Sequence, residues 1–127
     1  MRRTKPFGYQ LMLDLYGCNH GVCDDMDLCY DFLSELVGFI GMHKQSEPTV
    51  VRTDHRRFPD KKGLSGWVAL VESGIQIHTL SLKNFITIDV YSCRKFSRKK
   101  VVKFVRRYFG PQNMDEQFVF RGRKYFS

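Results

Sequence analysis

The chain predicts an α+β fold: a two-layer sandwich in which two helices cover one face of an antiparallel sheet. The order of periodic segments is the first observation behind this, since it reads β-α-β-β-β-β-α-β, with strands grouped around two helices. The second is size and composition. A chain of 127 residues that is 43% hydrophobic, with 11 Phe, 6 Tyr and one Trp, is long and apolar enough for one packed domain over residues 1–127. The third is the number of aromatic residues on strands, which gives the sheet a second face in need of cover. A homodimer is the expected way to supply it.

Taken in order, Gly8–Tyr16 alternates as a strand, with Leu11, Leu13 and Leu15 on one side. Gly17–Asp25 is a loop rich in Gly, Asn and Asp. Asp25 or Asp27 caps a helix over Met26–Gly41, where Leu28, Phe32, Leu33, Leu36 and Ile40 form an apolar stripe and Cys29 reads as a small core residue. Pro48 precedes an extended segment, Thr49–Thr53, and Asp54–Gly63 reads as a loop. Leu64–Glu72 is a strand, Gly74 allows a turn, and Ile75–Leu80 returns. Asn84–Ser92 alternates again. Ser97 caps a basic helix, Arg98–Phe109, which Gly110-Pro111 ends. Glu116–Phe120 is a last strand, and Arg121–Ser127 is an aromatic, basic tail.

Composition narrows the function classes. No apolar run approaches the roughly 18 residues a membrane helix needs. The basic start, Met1-Arg2-Arg3-Thr4-Lys5-Pro6, has no apolar stretch behind it, so neither a signal peptide nor a membrane partner is expected. Four cysteines, Cys18, Cys23, Cys29 and Cys93, then read as reduced thiols of a cytoplasmic protein. Cys18, His20 and Cys23 lack the second ligand pair of a structural zinc site, so no metal is expected. The net charge of +8 gathers at Arg56-Arg57, Lys61-Lys62, Arg94-Lys95, Arg98-Lys99-Lys100, Arg106-Arg107 and Arg121–Lys124. Without a nucleic-acid fold motif, a solvated helix face accounts for it better than nucleic acid does.

The chemistry concentrates in Glu72-Ser73-Gly74-Ile75-Gln76-Ile77-His78-Thr79, with Cys93 one hairpin later. A serine hydroxyl can attack the carbonyl before it and turn an amide into an ester, helped by a strained turn and by donors on the carbonyl oxygen. Removal of the serine Cα proton then eliminates the ester and leads to a pyruvoyl group at a new N-terminus. His78 is the candidate base, although five positions place it on the opposite strand face from Ser73 unless the backbone kinks. A pyruvoyl carbonyl forms a Schiff base with a substrate amine and accepts the electrons released as carbon dioxide leaves. The Cys93 thiol can return the proton. The competing reading is a serine in a turn, a histidine on a strand and a small buried cysteine.

These residues resemble the prokaryotic-type S-adenosylmethionine decarboxylases. The likeness rests on Glu72-Ser73, Ile77-His78-Thr79, Ile88-Asp89-Val90-Tyr91-Ser92-Cys93, His55-Arg56-Arg57-Phe58 and Leu64-Ser65-Gly66. It implies autocatalytic cleavage between Glu72 and Ser73, with the pyruvoyl cofactor made from Ser73. It further implies that His78 drives processing with help from Ser65, that Cys93 donates a proton, and that Phe58 lines the adenine side of the pocket. The implied substrate is S-adenosylmethionine, decarboxylated for spermidine and other polyamines by a homodimer of cleaved protomers. The chain departs from the family in having Leu80-Ser81-Leu82 where Trp-Pro-Glu is common, and Gly8-Tyr9-Gln10 where Gly-x-His is common. Decarboxylation of arginine or ornithine is therefore the alternative. An unprocessed regulatory paralogue and a basic nucleic-acid-binding module stand behind it.

Overall fold

The computed structural model describes residues 5–127; the basic start, Met1-Arg2-Arg3-Thr4, lies outside them. Six strands form one antiparallel sheet: β1 (Gly8–Tyr16), β2 (Thr49–Arg52), β3 (Leu64–Leu70), β4 (Ser73–Leu80), β5 (Phe85–Ser92) and β6 (Asn113–Arg121). Their spatial order is β2-β3-β4-β5-β1-β6, so β2 and β6 are the edges. Two helices, α1 (Met26–Phe39) and α2 (Arg98–Phe109), join the same core. This is the α+β sandwich that the pattern predicts.

Alternation sets the two faces. Leu11, Leu13, Leu15, Val68, Leu70, Ile75, Ile77, Ile86, Ile88 and Val90 are buried on one side, against Phe32, Leu33 and Leu36 of α1 and Val101, Phe104, Val105 and Phe109 of α2. The intervening residues Ser65, Trp67, Gln76, His78, Asp89, Tyr91, Gln10 and Met12 face away from this core and are partly or largely exposed. They form an open sheet face without helical cover.

Asp25, rather than Asp27, caps α1, accepting from the Leu28 amide at 3.0 Å. Ser97 caps α2, accepting from the Lys100 amide, and Gly110 closes it in the left-handed conformation that glycine tolerates. Three boundaries differ most from the sequence pattern; β2, β5 and the end of β6 are each off by one residue. α1 ends at Phe39, short of Gly41. β6 begins at Asn113 rather than Glu116, because this edge strand is largely exposed, with only Met114 and Phe118 partly buried against the core, and so carries little apolar signal. The β3–β4 turn is Val71–Glu72, placed before Ser73 rather than at Gly74.

Candidate active site

The Glu72–Ser73 bond sits in a two-residue hairpin, with Leu70 opposite Ser73 across β3 and β4. Neither turn residue is Gly or Asn, the residues such turns favour. The unusual backbone falls instead on Ser73, with φ of 149°, a conformation that L-residues seldom occupy. Ile75, Ile77 and Thr79 point into the core, and Ser73, paired with the buried Ser92, is among the residues that line a hollow at this end of the sheet.

Both ends of Glu72 are held. Its carbonyl oxygen accepts the Cys93 amide at 2.8 Å. Its carboxylate lies in a residue only 7% exposed and takes the His43 amide at 3.0 Å and His43 Nδ1 at 2.7 Å. The His43 ring bond, followed by the His43 amide bond, holds the Glu72 carboxyl below its ordinary range. The Val71 amide donates to the His43 carbonyl at 2.9 Å, which fixes the other turn residue.

Ser65 and His78 form a second group. They are directly opposite on β3 and β4, with Ser65 Oγ and His78 Nδ1 hydrogen-bonded at 3.0 Å. When Nδ1–H donates to Ser65, Nε2 keeps its lone pair and can take a proton. This pair lies at the Leu64 end of the sheet, whereas Ser73 and Cys93 lie at the other end. Five residue steps along β4 lead from Ser73 to His78, about 16 Å at the rise of a strand. Phe58 belongs to the loop at the Ser65 end; it is 47% exposed, and the Arg57 guanidinium lies over its ring at 5.2 Å.

The hollow beside Ser73 measures about 590 Å³ and takes residues from five strands, among them Gln10, Trp67, Asp89, Tyr91 and Arg121. The sequence assigns none of these five a role in the site: Asp89 and Tyr91 lie in a segment that carries the resemblance, Gln10 in one that departs from it, and Trp67 and Arg121 read only as strand and tail residues. Trp67 is 48% exposed here. The Arg121 guanidinium stacks over Tyr91 at 4.6 Å and donates to Gln10 Oε1 at 3.3 Å. Burial, followed by the negative charge of Asp14, raises the Asp89 carboxyl above its ordinary range.

The cysteines divide sharply. Cys18, Cys23 and Cys29 are buried free thiols, pushed up to about 12, about 11 and about 12, chiefly by burial. Cys93 alone is partly exposed. Among the described residues no group of three His, Cys, Asp or Glu stands together as a metal site, and no helix is long and apolar enough to cross a membrane.

Residues 9–122 match a family model described as S-adenosylmethionine decarboxylase. The S-adenosylmethionine decarboxylase proenzyme of Clostridium botulinum (strain Langeland / NCTC 10281 / Type F) is 28% identical over 120 residues, covering 94% of this chain and 97% of that one. The proenzyme of the same name from Persephonella marina (strain DSM 14350 / EX-H1) is 29% identical over 119 residues, covering 93% of this chain and 84% of that one. Among solved structures, the adenosylmethionine decarboxylase of Aquifex aeolicus VF5 superposes with a TM-score of 0.79 at 26% identity. The match covers 93% of this chain and 92% of that one.

Proposed function

This chain belongs to the S-adenosylmethionine decarboxylase family, and we propose that it is a self-processing carboxy-lyase that cuts itself between Glu72 and Ser73 and then decarboxylates S-adenosylmethionine. The observation that carries this reading is the scissile turn. A serine with φ of 149° follows a carbonyl whose oxygen already receives the Cys93 amide at 2.8 Å. Relief of that strain and stabilisation of the developing oxyanion both favour attack by the Ser73 hydroxyl.

The steps balance on this chain's own atoms. Ser73 Oγ adds to the Glu72 carbonyl carbon, the C–N bond breaks, and the nitrogen takes the hydroxyl proton to leave an ester. A base removes the Ser73 Cα proton, the Cβ–O bond breaks, and Glu72 departs with its own α-carboxylate. The dehydroalanine tautomerises, and water replaces its nitrogen, releasing ammonia and leaving a pyruvoyl group. Ser73 lines the hollow, so the group formed there would face a space of about 590 Å³. The pyruvoyl carbonyl supplies the electron sink for decarboxylation. The Cys93 thiol, partly exposed beside the same turn, returns the proton to the product.

His78 acts in this reading from a second copy. Within one chain the Ser65–His78 pair lies about 16 Å from Ser73, too far for proton transfer. A twofold axis running between two open sheet faces and across the strands reverses strand direction. The Ser65–His78 end of one copy then meets the Ser73–Cys93 end of the other. Packed sheets lie about 10 Å apart, within side-chain reach. The same packing carries Phe58 toward the partner's hollow, where its ring can stack on adenine. The product of this reaction serves spermidine and other polyamine synthesis.

A second reading keeps the chemistry but takes free arginine or ornithine. It is favoured by Leu80 and by Leu82, which is 65% exposed, where the family commonly has Trp and Glu to hold the nucleoside. Carbon dioxide release from carboxyl-labelled S-adenosylmethionine, arginine and ornithine separates the two. Release from S-adenosylmethionine supports the first reading, and release from either amino acid alone replaces it with the second.

A further inference from the structure

We propose that His43 is a positioning residue for self-cleavage: its ring holds the Glu72 side chain and so keeps the Glu72–Ser73 bond in its strained, attackable form. The inference rests on the self-cleavage reading. No sequence signal singles out His43, because it lies in the connection between α1 and β2.

That connection runs alongside the hairpin like a short extra strand. The Gln45 amide donates to the Ala69 carbonyl at 2.8 Å, Lys44 bridges to Leu70, and the Val71 amide donates to the His43 carbonyl at 2.9 Å. These backbone bonds persist whatever side chain residue 43 carries. The ring adds a single directional bond, Nδ1–H to Glu72 Oε2 at 2.7 Å. The two side chains differ in setting. That of Glu72 is 8% exposed, whereas that of His43 is 68% exposed, so the ring is not there to fill the core.

A carboxylate at that depth needs its donors, since an under-bonded buried charge is costly. With the ring in place both carboxylate oxygens are engaged, one by the ring and one by the His43 amide. Residue 72 is then fixed at its side chain by His43 and at its carbonyl by Cys93, and Ser73 absorbs the mismatch in φ. Without the ring, one oxygen must turn toward water. The turn can follow it, Ser73 can relax, and the attacking hydroxyl loses its alignment with the carbonyl carbon.

The test follows conversion of freshly made precursor into two fragments by mass spectrometry, for wild type, His43→Ala, His43→Asn and His43→Gln. The loss of a hydrogen bond to a charged group predicts that His43→Ala cleaves about tenfold to a hundredfold more slowly. Its unfolding midpoint should fall by no more than the loss of that one hydrogen bond entails. In His43→Asn or His43→Gln the side-chain amide replaces the Nδ1–H donor, and most of the rate should return. This rescue separates positioning from mere packing. Wild-type cleavage rates in His43→Ala overturn the proposal, and so do amide variants as slow as His43→Ala. A wild-type chain that never cleaves overturns the self-cleavage reading itself, and this one with it.

Discussion

In the proposed reaction Ser73, His78 and Cys93 carry separable duties. Cys93 contributes twice at the cut: its backbone amide meets the Glu72 carbonyl, while its thiol stands free. Only the thiol is lost in Cys93→Ala. That variant should still cleave substantially but turn over poorly, or return the proton to the wrong carbon. His78→Ala removes the base for the Cα proton, so it should stall at the ester, which hydroxylamine then cuts. Gel analysis with and without hydroxylamine reads both, and equal cleavage defects in the two variants contradict this division. In the proposed function Phe58 serves substrate holding alone. A base–aromatic stack is worth about 1–3 kcal/mol, so Phe58→Ala should raise KM for S-adenosylmethionine roughly tenfold to a hundredfold. An equal loss with an amino-acid substrate, which has no adenine, would remove the stacking role. Ser73, His78 and Cys93 stand out in the sequence because their types and spacing suit that chemistry, whereas Phe58 enters only through the resemblance. His43, Trp67 and Arg121 do not, since only folding brings them to the turn or the hollow.

At the scale of elements, the β3–β4 hairpin concentrates the strain. Its position was misread because Val71 continues the apolar alternation of β3, and neither residue of the tight turn is Gly or Asn. Gly74, which suggested the turn, instead pairs with Ala69 inside the ladder. The other end of β3 depends on a glycine. Gly63 has φ of 152°, and a Cβ there would stand 2.0 Å from the Thr79 carbonyl oxygen. Thr79 is itself buried, donating to the Cys23 carbonyl at 2.6 Å and accepting the Leu64 amide at 2.8 Å. Gly63→Ala should therefore cost about 2 kcal/mol or more. A lower urea midpoint at unchanged slope checks this, and a midpoint equal to wild type contradicts it. The helices were easier to read, because Asp25, Ser97 and Gly110 mark their ends in both sequence and structure.

For the whole molecule, the open face explains how distant residues can share one reaction. The alternating pattern left a sheet face without helical cover, and the registers place Ser73 and Cys93 at one end of it and Ser65 and His78 at the other. In the proposed dimer a single chain holds two half-sites, and two chains complete both. Mixing Ser73→Ala with His78→Ala is the corresponding prediction. Neither variant forms a pyruvoyl alone, but the His78→Ala copy should be processed when its partner supplies His78. Mixtures as inert as the separate variants would confine the chemistry to one chain.

The central claim is that this chain cuts itself before residue 73, and intact mass of the purified protein tests it most directly. The account predicts two fragments divided between Glu72 and Ser73, the second bearing a pyruvoyl group in place of its N-terminal serine, and a single uncut chain in Ser73→Ala. One wild-type species near 15.0 kDa after prolonged incubation, with no carbonyl-reactive fragment, would contradict it.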